Sequence, residues 1–117
     1  MITTHILDTS AGRPANGVPV ELERGGTESV FGGVSDWTLV GAGLTDVDGR
    51  QKDLTPAGPV EPGTYRIRFK TDSYFAQQNV TGFYPVVEIQ FTVVDGAQHY
   101  HVPLLLSPFG YSTYRGS

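Results

Sequence analysis

A chain of 117 residues is the size of one small domain, and residues 1–117 are read here as a single unit with one core. Eight Lys and Arg against twelve Asp and Glu give a net charge of −4, which excludes the broad basic footprint that nucleic-acid binding needs. There is no cysteine, so a disulfide framework, thiolate catalysis and Cys-ligated zinc are excluded, while 15 glycines and 8 prolines point to many turns and an all-β chain.

In chain order, Ile2 to Asp8 reads as a first strand, and Thr9 to Gly17 as a turn-rich link. Val18, Val20 and Leu22 alternate with Pro19, Glu21 and Glu23, the pattern of a strand with one wet face, and Pro19 predicts that this strand lies at a sheet edge. Gly25 to Asp36 is a Gly-rich loop without periodicity. Trp37 to Thr45 is β-like, and Asp48-Gly49 is a tight-turn signal leading into Arg50 to Leu54.

After the proline-rich Thr55 to Gly63, Tyr65, Ile67 and Phe69 alternate with Arg66, Arg68 and Lys70 in the clearest amphipathic strand of the chain. Thr71 to Val80 is the one predicted helix, about two turns long, with Thr71 or Asp72 as its cap. Val87, Ile89, Phe91 and Val93 form another alternating run. Gln98 to Ser107 and Tyr111 to Arg115 then read as a closing hairpin around Ser107 to Gly110. About eight half-apolar strands must bury one face each, so a two-layer β-sandwich is expected.

The chain has three histidines, the side chain best suited to proton transfer at neutral pH. His99 and His101 are two apart on one strand and therefore share a face, opposite Tyr100, Val102, Leu104 and Leu106. Ile6 is the inward residue of the first strand, which turns His5 outward, although Leu7 falls on that same face. Three surface histidines without a task are one reading; a three-His metal site with an open position for water is another. Arg50 leaves the Asp48-Gly49 turn, where its planar fork can serve a carbonyl or oxyanion. Tyr114, Arg115, Gly116 and Ser117 close the sequence as either a frayed end or one wall of a site.

The run His99 to Ser117, HYHVPLLLSPFGYSTYRGS, resembles the C-terminal signature of the transthyretin-related 5-hydroxyisourate hydrolases, including its final Tyr-Arg-Gly-Ser. Thr3 to Asp8, the Asp48-Gly49-Arg50 turn and Phe83-Tyr84-Pro85 resemble the same family in the same order. The resemblance implies a transthyretin-like sandwich of two four-stranded sheets with one short helix. It implies a homotetramer, a dimer of dimers, with sites at the dimer-dimer interface. It also implies hydrolysis of 5-hydroxyisourate to 2-oxo-4-hydroxy-4-carboxy-5-ureidoimidazoline in urate degradation, without cofactor or metal. The family's catalytic positions fall on His5, Arg50, His101 and Ser117, with Tyr114 contacting substrate, and His99 is left outside the site.

The hormone carriers of the same fold differ at these positions, having Lys for His5, Glu for Arg50 and Thr for His101. A non-catalytic carrier of small aromatic ligands is the alternative reading. The opening MITTHILD has no basic segment followed by an apolar one, and no apolar run approaches the roughly 20 residues of a membrane span. A cytoplasmic protein is the expectation.

Overall fold

The computed structural model describes all 117 residues, Met1–Ser117. Its elements in chain order are β1 (Ile2–Asp8), β2 (Arg13–Pro14), β3 (Pro19–Arg24), β4 (Thr27–Glu28), β5 (Val34–Ser35), β6 (Thr38–Leu44), β7 (Arg50–Gln51), β8 (Gly63–Phe69), α1 (Thr71–Ala76), β9 (Val87–Val93), β10 (Tyr100–Ser107) and β11 (Gly110–Thr113). One sheet runs β11-β10-β1-β2 with β7 also on β1, and the other runs β6-β3-β8-β9. No helix is long and apolar enough to cross a membrane.

The first sheet keeps four strand positions, but two short pieces fill its fourth. β2 pairs with the end of β1, Leu7 opposite Pro14, and β7 pairs with its middle, Thr4 opposite Gln51 and His5 opposite Arg50. Strand β10 covers the other edge of β1 in parallel, from Ile2 opposite Tyr100 to Asp8 opposite Leu106. Between the sheets, Ile2, Ile6, Leu104 and Leu106 meet Val20, Leu22, Ile67 and Phe69, all buried. Each such side chain contributes about 1.5–3 kcal/mol by leaving water.

Three local expectations are corrected. Strand β3 is central, between β6 and β8; Pro19 is tolerated because it is the strand's first residue, where its missing N–H interrupts no ladder. The stretch from Gly25 to Asp36 is not all loop: Thr27 and Glu28 pair with Ser35 and Val34, two-residue strands too short to show a period. Helix α1 ends at Ala76 and is preceded by Lys70 without a side-chain cap; Thr71 instead donates its hydroxyl to Tyr84 O (2.7 Å). The helix is held by burial of Tyr74 and Phe75, and by the Tyr74 hydroxyl donating to Asp8 Oδ2 at 2.6 Å.

Candidate active site

Alternation along β1 and β10 decides which side chains leave the core. On β1, Ile2, Thr4, Ile6 and Asp8 point inward, so Thr3, His5 and Leu7 lie on the outer face. On β10, Tyr100, Val102, Leu104 and Leu106 are buried, and His101 lies outward opposite Thr3. Directly paired residues share a face, so Arg50 stands beside His5. Thr3, Arg50 and His101 border a shallow depression of about 240 Å³ together with Lys52, His99 and Ser117, and His5 stands beside Arg50 without lining it.

The turn before Arg50 is built by one carboxylate. Asp46 Oδ1 accepts the backbone N–H of Asp48 (2.9 Å) and of Arg50 (3.0 Å), and Asp46 O accepts Gly49 N–H (2.9 Å). The Arg50 N–H bond is the main influence holding the Asp46 carboxyl below its usual range; the Asp48 N–H and the Lys52 and Arg50 charges add to it. Gly49 has φ +74°, and a Cβ there would collide with Ile6 O, so glycine is required for β7 to approach β1.

His101 is half-buried. Its Nδ1 lies 2.8 Å from Thr3 Oγ1, and its Nε2 has no hydrogen bond within the chain. Burial pushes its pKa below the usual 6.5, and the positive charges available at His5, His99 and Arg50 push it the same way. The ring is therefore neutral at neutral pH, as a proton acceptor must be. Gly116 N–H donates to His101 O (2.8 Å), laying the last residues along β10 and bringing Ser117 to the depression.

The structure brings His5, Arg50, His101 and Ser117 to one face. Tyr114 lies elsewhere, in a separate hollow of about 260 Å³ with Ile89, Phe91 and Tyr100. Sequence reasoning missed Thr3, Lys52 and the link from His99 to this group: Thr3 Oγ1 is also 2.8 Å from His99 Nε2. The pairing register that joins Thr3 to both rings leaves no mark in the sequence. No three His, Asp or Glu side chains are grouped so as to hold a metal ion.

The model of the HIUase/Transthyretin family matches residues 2–116. The chain belongs to that family. It is 44% identical over 117 residues to the 5-hydroxyisourate hydrolase of Salmonella dublin, covering all of this chain and 81% of the relative. Among solved structures, the Klebsiella pneumoniae 5-hydroxyisourate hydrolase superposes with a TM-score of 0.81 at 34% identity, over 99% of this chain and 98% of that one. Sea bream transthyretin in complex with thyroxine gives a TM-score of 0.83, also at 34% identity, over 98% of this chain and 93% of that one. Both neighbours bear out the sandwich fold, which an enzyme and a thyroxine-binding protein share. The fold therefore leaves the choice of activity to the residues of the site.

Proposed function

We propose that this protein hydrolyses 5-hydroxyisourate to 2-oxo-4-hydroxy-4-carboxy-5-ureidoimidazoline, in the depression on the outer face of the first sheet. The observation that carries the reading is a neutral, half-buried His101 with its Nε2 free, on the same face as His5 and Arg50.

Water adds to a ring carbonyl as His101 Nε2 takes its proton, a step for which a placed base contributes ~10²- to 10⁴-fold. The carbonyl oxygen becomes an oxyanion, and the Arg50 guanidinium donates to it in a forked geometry, worth ~3 kcal/mol. His101 then returns the proton to the departing ring nitrogen, so that the C–N bond breaks without releasing a bare amide anion. His5, paired with Arg50, orients water or substrate, and Ser117 helps position water at the rim. No step calls for a metal or cofactor.

The assembly that fits an open, shallow site is a homotetramer in which a second dimer covers the depression. Tyr114 lies outside its own chain's depression, so a contact with substrate would have to be made to the site of a neighbouring protomer. A cytoplasmic setting agrees with a chain that uses no cysteine.

The test is a coupled assay in which urate oxidase generates 5-hydroxyisourate and its ultraviolet decay is followed. Sub-stoichiometric protein accelerates the decay if the reading holds. A carrier would bind without turnover, and decay curves that superimpose with and without protein would overturn the hydrolase.

A further inference from the structure

The Thr3 hydroxyl touches two imidazoles, with Oγ1 2.8 Å from His101 Nδ1 and 2.8 Å from His99 Nε2. Parallel pairing sets Thr3 opposite His101, and His99, the residue just before β10, reaches the same hydroxyl. Thr3 is buried, His101 half-buried and His99 exposed, and all three border the depression, so they run along its wall from a half-buried ring through a dry hydroxyl to a solvated ring.

A hydroxyl has one proton to give and lone pairs to receive with. A base at His101 Nε2 must carry its own proton on Nδ1, so His101 donates to Thr3. Thr3 is then free to donate to His99 Nε2, and His99 carries its proton on Nδ1. In this arrangement both contacts are satisfied and run the same way, from His101 through Thr3 to His99.

We propose that Thr3 and His99 form a proton relay for His101. The proposal rests on the reading of His101 as the base. As His101 Nε2 takes a proton from water, its Nδ1 proton passes to Thr3 Oγ1, and the Thr3 hydroxyl proton passes to His99 Nε2. Three bonds break: one O–H of water, N–H at His101 Nδ1 and O–H at Thr3. Three bonds to hydrogen form: at His101 Nε2, at Thr3 Oγ1 and at His99 Nε2. The hydroxide adds to the substrate carbonyl, and the positive charge resides on His99. Reversal of the shift returns a proton through His101 Nε2 to the departing nitrogen.

Electrostatics favours moving the charge. His101 is faced by His5 from β1 and Arg50 from β7, with Lys52 following β7 and Met1 preceding β1 at the border of the depression. No Asp or Glu lines that depression, and its one anion, the Ser117 carboxylate, is outnumbered by the Met1 amino group, Arg50 and Lys52. At His99 water solvates the charge instead. Thr3 is thus a positioning residue that also carries a proton, and His99 acts on His101 through it.

Three variants test the relay: Thr3→Val, Thr3→Ser and His99→Gln, each first checked for native circular dichroism. Imidazole nitrogen NMR on the free protein reads the His101 tautomer, and kcat and KM are followed through the histidine titration range. Wild type is expected to hold its proton on His101 Nδ1, and Thr3→Ser keeps both this tautomer and most of kcat. His99→Gln still accepts the Thr3 hydrogen bond but cannot take its proton; the tautomer is kept while kcat falls ~10-fold at unchanged KM. Thr3→Val loses the tautomer bias and more of kcat. Full kcat in His99→Gln, or an unchanged tautomer in Thr3→Val, overturns the relay alone. A wild-type protein without turnover overturns the base assignment and the relay with it.

Discussion

His5 and Arg50 are cross-strand partners on β1 and β7, and only two residues of β7 are in register with β1. Such a short strand has little ladder of its own, so the Asp46 carboxylate and Gly49 of the preceding turn supply the rest of its placement. Arg50→Lys keeps the charge on this platform but removes the forked donors. The expected outcome is a loss of ~10²-fold in kcat/KM, measured in the coupled assay, with native circular dichroism retained. Activity within twofold of wild type would remove Arg50 from oxyanion stabilisation.

Gly116 is expected to matter through His101. A Cβ at position 116 would sit 2.7 Å from His101 Cδ2 and 3.2 Å from Pro103 Cγ, so either the imidazole or the last residues must move. Gly116→Ala should lower kcat by ~10-fold, since even a small displacement misaligns a catalytic group, with a much smaller change in melting temperature. A crystal structure of an equally active variant with the ring unmoved would contradict this.

Acid stability should report the pair that joins β1 to α1. Burial raises the Asp8 pKa, but hydrogen bonds from Tyr74, Ala11 and Ser10 outweigh it and hold the carboxyl below its usual 3.8. Tyr74 moves the other way, above its usual 10.0, through burial and the bond to Asp8. The Asp8 contribution is present above its ordinary value and lost as pH falls through the lowered one; that of Tyr74 is present below 10.0 and lost as pH rises through the raised value. Tyr74→Phe should therefore cost about 1.5–3 kcal/mol in urea unfolding at neutral pH, and progressively less as Asp8 protonates.

Assembly is tested by light scattering at assay concentration. A tetramer is expected, and Tyr114→Phe should raise KM while leaving the tetramer intact. A fully active monomer would contradict a site completed by a second protomer.

Much of this site was legible because a strand has a strict period of two. The apolar set Tyr100, Val102, Leu104 and Leu106 forced His101 outward, and Ile6 did the same for His5. What stayed hidden depends on pairing. Pro19 does not reveal whether its strand has one neighbour or two, and the two-residue strands around Glu28 and Val34 have no period to read. The role of Thr3 exists only because a strand nearly a hundred residues away lies beside it in one register; a one-residue slip would have turned His101 into the core.

The most direct test is the rate of 5-hydroxyisourate loss with wild type and with His101→Asn, followed as a function of pH. Wild-type activity should rise with pH through a value below the usual 6.5 of histidine and then level off at neutral pH, because the neutral ring is the active form. His101→Asn should lose at least ~10²-fold in kcat, equivalent to ~2.7 kcal/mol, and should lose this pH dependence as well. A variant that keeps wild-type kcat and the same rising limb would contradict His101 as the base and, with it, the mechanism built on this face of the sheet.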